Sequence, residues 1–246
     1  MNPWMIGGEV AIVTAAAGVT ALGAVNPRAQ IFGPTVCRTN RPEKLAITFD
    51  DGPNPAITPK LLELLARHDA KATFFLVGKY VRESPSLVKE TLQAGHLLGN
   101  HTDTHPNLFF RSPSSIREEL ESANGAIAEA VGAPPRWFRP PFGMRNPWVI
   151  PAVRQLGMQA VMWTLIPGDW RAPSAEWLMA RMQPIADRAA QANFQRGRGE
   201  ILCLHDGYHA QQNGDRRHTV AALAHWLPRW RDLGLEFVTI DEAITP

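Results

Sequence analysis

Two adjacent carboxylates, Asp50 and Asp51, follow an apolar run and precede a Gly-Pro turn within Leu45–Pro53 (LAITFDDGP). The run is rich in strand-forming residues, and successive side chains of a strand point to opposite faces. One carboxylate could therefore bind a cation while its neighbour accepts a proton from a molecule that the cation holds. Taken alone, the pair also suits a solvated turn, so its interpretation depends on the partners that the rest of the chain supplies.

Two histidines lie four residues apart in His101–His105 (HTDTH). On one helical turn or in a tight loop both imidazoles can face one point, as a divalent metal requires. The same spacing also occurs in polar surface segments. With one carboxylate it completes a two-histidine, one-carboxylate site that leaves positions open for water and substrate. Zinc (Zn) is the default ion for such ligands, and Mn, Co, Ni and Fe also accept them.

A third histidine, His205, ends the apolar segment Ile201–Leu204. A hydrolase needs a proton donor for its leaving group, and an imidazole can supply that proton near neutral pH. Arg139, in the candidate strand Trp137–Arg139, could orient a catalytic carboxylate or a substrate. Both residues also have a purely structural interpretation. His205 could be hydrogen-bonded at a strand end, and Arg139 could form a salt bridge. The remaining histidines are interpreted as structural or surface residues: His68, His96, His209, His218 and His225.

Strand and helix patterns alternate from Leu45 onward. The later predicted strands are Ala72–Val77, His96–Asn100, Trp137–Arg139, Gln159–Thr164, Glu200–Leu204 and Leu235–Ile240. The predicted helix starts include the N-cap Thr58 before Pro59, Ser84-Pro85, the capping-box pair Ser115 and Glu118, Ile150, Ser174 and Thr219.

This alternation predicts an α/β fold with a mostly parallel sheet, and seven or eight such units predict a closed or nearly closed barrel. In such barrels the chemistry gathers at the carboxyl ends of the strands. The conspicuous polar motifs all follow predicted strands: Asp50-Asp51, His101, Arg139, Asp169 and His205. We therefore expect these motifs to meet at one end of the barrel.

The length of 246 residues suits a single domain with a sizeable core. A hydrophobic content of 45% and a charged content of 20% are ordinary for a folded soluble protein. The net charge of +2, without a block of basic residues interleaved with aromatics, argues against nucleic acid as a partner. The cysteines, Cys37 and Cys203, have neither metal-site spacing nor the density of a disulfide scaffold, and Cys203 is interpreted as a small core residue.

Residues 1–25 form a segment of different character. From Trp4 to Val25 the only charge is Glu9, and the run is long enough to span a bilayer. Small residues at 21–24 suit a cleavage site, but no Lys or Arg precedes Arg28, so the positive region of a signal peptide is missing. We expect an export signal or membrane anchor, and hence an extracytoplasmic or cell-envelope location. A helix or strand packed on the domain is the alternative, with 26–43 as a lead-in to a domain spanning 44–246.

Five motifs occur in the order that characterises a known family. They are TFDDGP at Thr48–Pro53, HTDTH at His101–His105, RPPFG at Arg139–Gly143, DW at Asp169-Trp170 and LCLHD at Leu202–Asp206. In these motifs the chain resembles the NodB-type polysaccharide deacetylases, carbohydrate esterase family 4. The resemblance covers residue 44 to the C-terminus. It implies a distorted (β/α) barrel, the NodB homology domain, and a metal-dependent hydrolase that acts on linear amides.

The resemblance also implies roles for individual residues. Asp51, His101 and His105 would bind the metal, which would activate a water molecule. Asp50 would be the catalytic base that takes a proton from this water. His205 would be the catalytic acid that protonates the departing amine or sugar oxygen, so that acetate is released.

Other roles carried over by the resemblance concern positioning and substrate binding. Arg139 would position Asp50, and Asp169 would hold or tune His205. The backbone N–H of Phe142 would stabilise the oxyanion. The implied substrate-binding residues, of which Trp170 and Leu202 would line the acetyl pocket, are Pro140, Phe142, Gly143, Trp170 and Leu202.

The chain departs from the family pattern at Ile166, three residues before Asp169, where relatives often carry an aspartate. A carboxylate that could modulate Arg139 or His205 is therefore absent. The metal-binding motif is untouched, so we expect activity, with an altered pH optimum or acyl specificity.

The leading expectation is a monomeric hydrolase that removes N-acetyl groups from a glucosamine-containing polysaccharide or oligosaccharide, peptidoglycan or chitin-like. Within the same chemistry, the alternatives are an acetyl xylan esterase and a hydrolase of another acyl amide, such as a formamide on a lipid-linked sugar. A non-catalytic glycan-binding domain belongs to a different class. It has no need for a base, a metal triad and an acid together, so the intact motifs argue against it.

Overall fold

The computed structural model describes residue 18, residues 20–191 and residues 197–245. Within these residues, eight strands form one sheet: β1 Thr35–Val36, β2 Lys44–Gly52, β3 Ala72–Leu76, β4 Leu97–Asn100, β5 Trp137–Phe138, β6 Gln159–Val161, β7 Glu200–His205 and β8 Glu236–Phe237. With α1 at residues 20–25, the helices are α2 Thr58–Arg67, α3 Gly78–Glu83, α4 Pro85–Gln93, α5 Pro113–Val131, α6 Val149–Gln155, α7 Ala175–Gln191, α8 Arg217–Asp232 and α9 Ile240–Ile244. Short 3₁₀ turns cover Leu108–Phe110, Pro141–Gly143 and Asp169–Arg171.

All strand pairs are parallel, and the sheet follows the path β1-β6-β5-β4-β3-β2-β7, with β8 on the start of β2. The free edge of β7 meets the chain that follows β6. There Leu165 forms a bridge with Leu202, and its carbonyl accepts a hydrogen bond from the Cys203 N–H at 2.9 Å. This contact closes the sheet into the distorted barrel that the alternation of strands and helices predicts.

The alternation of side chains along β7 separates the core from the barrel interior. Leu202 and Leu204 pack in the main hydrophobic core with residues of α2, α7 and α8. Cys203 and His205 point the other way, and their register partners on β2 include Asp50. A period of two thus places apolar side chains against the helices and polar ones inside the barrel.

The first barrel helix begins one residue earlier than its predicted cap implies. Ile57 occupies the N-cap position of α2, and the Thr58 hydroxyl instead donates to the Asp206 carboxylate at 2.5 Å. Asp206 is fully buried, so the need to give its carboxyl group a hydrogen-bond partner competes successfully with capping of the helix.

Two of the other differences at element boundaries have a clear local cause. α5 begins before the predicted start at Ser115, because Pro113 suits the first helical turn and Ser112 accepts from the Ser115 N–H as its cap. The predicted strand Leu235–Ile240 ends early, with β8, because Thr239 forms a capping box that starts α9.

Most of the predicted export or anchor segment lies outside the described residues. The described part near residue 24 contacts the barrel: Arg145 is buried and donates through Nη2 to the carbonyls of Gly23 (2.9 Å) and Asn26 (2.7 Å). β1, which lies in the predicted lead-in, pairs with β6. Among the helices of the described residues, none combines the length and hydropathy needed to cross a bilayer.

Candidate active site and metal centre

The carboxyl ends of β2 and β7, with the loops after β4, β5 and β6, surround a cavity of about 310 Å³. The predicted site residues that line it are Asp50, Asp51, His101, His105, Phe142, Gly143, Trp170 and His205. Arg139 and Asp169 are buried and contact the cavity residues from behind. Pro140 and Leu202 are buried without lining the cavity.

An irregularity at the end of β2 turns both aspartates into the cavity. Strict alternation would send Asp51 to the face opposite Asp50. Instead the register of β2 against β3 shifts between Asp50 and Gly52, and Asp51 has a φ of 72°. A bulge therefore gives the two carboxylates a common cavity, which the alternation of a regular strand does not predict.

The left-handed backbone conformation recurs around the cavity. Besides Asp51, it occurs at Thr102 (φ 67°), His105 (φ 61°) and Phe142 (φ 57°). Non-glycine residues seldom adopt this conformation because it costs free energy, and such strain is concentrated at functional sites. The conformation thus occurs at, or directly beside, the residues to which the family resemblance assigns metal and oxyanion binding.

Three donor atoms converge on one side of the cavity. Asp51 Oδ1 lies 3.0 Å from His105 Nε2 and 3.6 Å from His101 Nε2. All three side chains are buried, and Asp51 Oδ1 has no hydrogen-bond partner among the described residues, since the approach of His105 is not aligned as a hydrogen bond. An enclosed carboxylate oxygen facing two imidazole nitrogens fits a divalent cation with two histidine ligands and one carboxylate ligand.

Behind these donors, His101 Nδ1 lies 2.7 Å from the carbonyl oxygen of Arg139. The carbonyl can only accept, so Nδ1 carries the proton and Nε2 presents its lone pair to the cavity. This is the arrangement by which an outer hydrogen bond fixes the tautomer and orientation of a metal-binding histidine.

The ionisation states of the donors also suit a cation. Burial alone would raise the pKa of Asp51, but its contact with His105 and the charges of His205, His105 and His101 hold that pKa well below the usual range. Burial, helped by the charge of His105, lowers the pKa of His101 to about 4 against the opposing charges of Asp50 and Asp51. An ionised carboxylate and a neutral imidazole are the forms that bind metals.

Asp50 is held at both carboxylate oxygens. Oδ1 accepts from Arg139 Nη1 at 2.8 Å, and Oδ2 accepts from the Cys203 thiol at 3.3 Å. Arg139 is fully enclosed and also donates to the Thr48 hydroxyl at 2.7 Å and the Met162 carbonyl at 3.2 Å. Arg139 thus lies behind the cavity lining, where it fixes the orientation of Asp50.

His205 forms the second paired group. Its ring Nδ1 lies 2.8 Å from Asp169 Oδ1. The other oxygen, Asp169 Oδ2, accepts hydrogen bonds from the backbone N–H of His205 at 2.7 Å and from the Thr219 hydroxyl at 2.9 Å. Burial would lower the pKa of His205, but the charge and hydrogen bond of Asp169, with the charges of Asp51 and Asp50, raise it to about 9. The imidazole is therefore protonated near neutral pH, and Nε2 is the nitrogen free to donate.

The departure at Ile166 leaves neither pair incomplete. Arg139 already has Asp50 as its carboxylate partner, and His205 has Asp169. Ile166 itself lines the cavity together with the aromatic residues Trp163 and Trp170. It therefore contributes to an apolar wall.

The neighbours Leu202 and Cys203 lie on opposite faces of β7. Leu202, expected in the acetyl pocket, faces the helix layer instead. Cys203 is fully buried, as the sequence predicts, and it also contacts Asp50. The sequence does contain the signal, since Cys203 precedes His205 by two residues and so shares its face of the strand.

Further cavity residues come from the loop after β7 and were not predicted as site residues: Tyr208, His209 and Arg216. His209, interpreted from the sequence as structural or surface, stacks on His105 with ring centroids 4.6 Å apart and an interplanar angle of 17°. The loop begins directly after the LCLHD motif, and this proximity is the only sequence signal of its place.

The sequence profile described as polysaccharide deacetylase matches residues 38–161. Over 205 residues the chain is 34% identical to the chitooligosaccharide deacetylase of Azorhizobium caulinodans, covering 80% of this chain and 93% of that protein. Over 208 residues it is 38% identical to the peptidoglycan-N-acetylglucosamine deacetylase of Bacillus cereus, covering 83% of this chain and 90% of that protein.

Solved structures show the same similarity. The Bc1960 peptidoglycan N-acetylglucosamine deacetylase, in complex with 4-naphthalen-1-yl-N-oxidanyl-benzamide, gives a TM-score of 0.73 at 27% identity, covering 85% of this chain and 92% of its own. A CE4 family pseudoenzyme from Bacillus anthracis gives a TM-score of 0.74 at 28% identity, covering 86% and 69%. Since an enzyme and a pseudoenzyme share this fold, the site residues must carry the functional conclusion.

Proposed function

The chain belongs to the polysaccharide deacetylase family, and we propose that it removes N-acetyl groups from the glucosamine units of a peptidoglycan or chitin-like polymer. One observation carries this proposal. A single cavity contains three converging metal donors, a carboxylate held by Arg139 and a histidine held protonated by Asp169. A glycan-binding domain needs none of these arrangements.

Asp51, His101 and His105 would hold the metal. A divalent cation at these donors would polarise the acetyl carbonyl and lower the pKa of a water molecule. We propose zinc, because two histidines and one carboxylate that leave a position for water are typical of catalytic zinc sites.

The remaining steps belong to side chains and backbone of this chain. Asp50, oriented by Arg139, would accept a proton from the water whose oxygen forms the new bond to the acetyl carbon. The N–H of Phe142, which has no hydrogen-bond partner among the described residues, would donate to the oxygen that becomes negative. His205 would then give its Nε2 proton to the amine nitrogen as the carbon–nitrogen bond breaks. Acetate and a free glucosamine unit result.

The cavity composition supports an acetyl group as the part removed. Trp163, Ile166 and Trp170 form an apolar wall beside the polar groups, and apolar side chains favour burial of a methyl group. An amine leaves poorly without a proton, so the protonated His205 favours an N-acetyl over an O-acetyl substrate.

The names of the relatives describe peptidoglycan and chitooligosaccharides as their substrates. For this chain we propose action outside the cytoplasm on a cell-wall polymer. Export or anchoring through residues 4–25, and a monomeric state, stay predictions.

Acetate release from N-acetylglucosamine oligomers and from acetylated xylan tests the proposal. Each substrate should be assayed with protein treated with a chelator and again after zinc is restored. We expect release from the oligomers only with metal. Metal-dependent release from xylan alone would move the assignment to an esterase, and release that chelation leaves unchanged would remove the metal from the reaction.

A further inference from the structure

Arg216 lines the same cavity as the proposed catalytic residues but has no part in the mechanism above. It occupies the N-cap position of α8, at the end of the loop that follows β7. Only 8% of its surface is exposed, so its charge lies largely within the protein. Burying a charge costs free energy unless a partner compensates it.

Among the described residues, no carboxylate oxygen lies within 4.0 Å of the Arg216 guanidinium. Nη1 donates to the backbone carbonyl of Asp215 at 3.0 Å, and Nε is enclosed without a partner. Nη2 makes no hydrogen bond in the described part of the chain and is not enclosed. The other buried arginine of the site, Arg139, differs in that it pairs with Asp50 at 2.8 Å.

The segment that carries Arg216 is held in place. Asn54 Nδ2 donates to the backbone carbonyls of Asp206 and Gly214, both at 2.8 Å. Gly214 lies so close to the Tyr208 side chain that a Cβ could not fit between them. The guanidinium carbon of Arg216 lies 5.5 Å from the centre of the Tyr208 ring. A fixed cation beside an aromatic ring is suited to bind a charged group that projects from a sugar.

We propose that Arg216 is a specificity residue that binds a carboxylate on the sugar next to the glucosamine unit being deacetylated. The inference rests on the proposed function and narrows its substrate to a carboxylate-bearing glycan. An arginine with a free edge favours a carboxylate because its N–H groups match the carboxylate oxygens and the bonds are charge-assisted. The acids within the cavity do not fill this role, since Asp50 pairs with Arg139 and Asp51 faces the metal donors.

Two carboxylates are candidate ligands of Arg216. One belongs to the neighbouring sugar of the polymer, and the other is the acetate that the proposed reaction releases. We assign Arg216 to the carboxylate of the neighbouring sugar. The probes are two tetrasaccharides of alternating N-acetylglucosamine and N-acetylmuramic acid, one with free lactyl carboxylates and one with these groups converted to methyl esters. At the position of interest they differ by one negative charge and one methyl group.

The zinc-loaded wild-type protein should deacetylate the acid with a kcat/KM about 10- to 100-fold above that for the ester, the size expected for a hydrogen bond to a charged group. Arg216→Gln should lose this preference through a higher KM for the acid, while its kcat and its rate on the ester stay near the wild-type values. Arg217→Gln is the matched control, because Arg217 carries the same charge on the adjacent residue, is exposed and pairs with Asp215 at 2.7 Å. It should keep the preference.

Three results would overturn the proposal. Equal wild-type rates on acid and ester would show that the carboxylate is not recognised, and this comparison requires no variant. Equal loss on both substrates in a folded Arg216→Gln would indicate a structural role. If Arg216→Gln changes the inhibition constant of acetate by the same factor with both substrates, Arg216 binds the acetate product and not the sugar carboxylate. If Arg216→Gln does not fold, Arg216→Lys replaces it and should keep part of the preference.

Failure of the proposed function can be distinguished from failure of this inference. If neither tetrasaccharide loses acetate, binding of both to the wild-type protein can be titrated by the fluorescence of the cavity tryptophans. Tighter binding of the acid, lost in Arg216→Gln and kept in Arg217→Gln, would support carboxylate recognition without turnover. Equal binding of acid and ester would refute it.

Discussion

The two sides of the cavity differ in how completely the protein satisfies their polar atoms. The metal cluster, Asp51, His101 and His105, contains a buried carboxylate oxygen that has no hydrogen-bond partner among the residues that the structure describes. The proton-transfer pairs, Asp50 with Arg139 and His205 with Asp169, are each joined at 2.8 Å. A cation would complete the first side, whereas on the second side Asp50 and His205 already have oppositely charged partners.

This difference separates two kinds of organisation. The metal cluster obtains its geometry from the backbone, with left-handed conformations at Asp51 and His105. Each proton-transfer pair obtains its geometry from a second charged side chain: Arg139 fixes the orientation of Asp50, and Asp169 fixes that of His205. Substitutions on the two sides should therefore fail in different ways, the first by losing metal and the second by losing turnover with metal still bound.

The largest effect is expected at His105. His105→Ala removes one of three donors, so bound metal and activity should be lost together, with activity lower by about 10³-fold or more. Elemental analysis and an acetate-release assay on the same sample measure both. Undiminished metal content would contradict the place of His105 in the metal cluster.

A smaller effect is expected from Asp169→Asn, which keeps the shape but removes the charge beside His205. His205 acts as an acid only while protonated, so activity is present below its pKa and lost as the pH rises through that pKa, about 9 with Asp169 in place. Without the Asp169 charge the pKa falls, and the alkaline limb of the kcat profile should move to lower pH by about one unit or more.

Thr219→Val is the matched control for Asp169→Asn, because it removes only the hydroxyl that donates to Asp169 at 2.9 Å. It should shift the alkaline limb far less. If Asp169→Asn leaves the limb in place, His205 is not the group that the profile reports.

The smallest effect is expected at Cys203. A thiol is a weak donor, so Cys203→Ala should lower kcat only about threefold by loosening Asp50, without changing metal content. Cys203→Ser keeps a donor and should recover most of the loss. An equal loss in both variants would indicate that packing matters at this position and the contact with Asp50 does not.

Much of this arrangement could be predicted from the sequence. Apolar runs that end in polar motifs locate the strand ends, and parallel strands bring those ends together, so Asp50, His101 and His205 were expected to meet. The order of the five motifs added the roles, which the experiments above test. The barrel itself follows from the alternation of strands and helices.

Other features depend on contacts between distant segments and have no local signal. The bulge at Asp51 places a non-glycine residue in a conformation that its type does not favour. The Thr58 hydroxyl does not cap α2 but donates a hydrogen bond to Asp206, a residue far along the chain. Arg216 and His209 line the cavity because the loop after β7 borders it. Neither residue lies in a recognised motif.

Metal content and turnover measured together on Asp50→Asn and Asp51→Asn test the division of the cavity most directly. Asp50→Asn should keep one metal ion per chain and lose turnover by about 10²- to 10⁴-fold, the usual contribution of a general base. Asp51→Asn should lose both. If Asp50→Asn loses its metal, or keeps most of its turnover, the two carboxylates do not divide the roles of metal ligand and base.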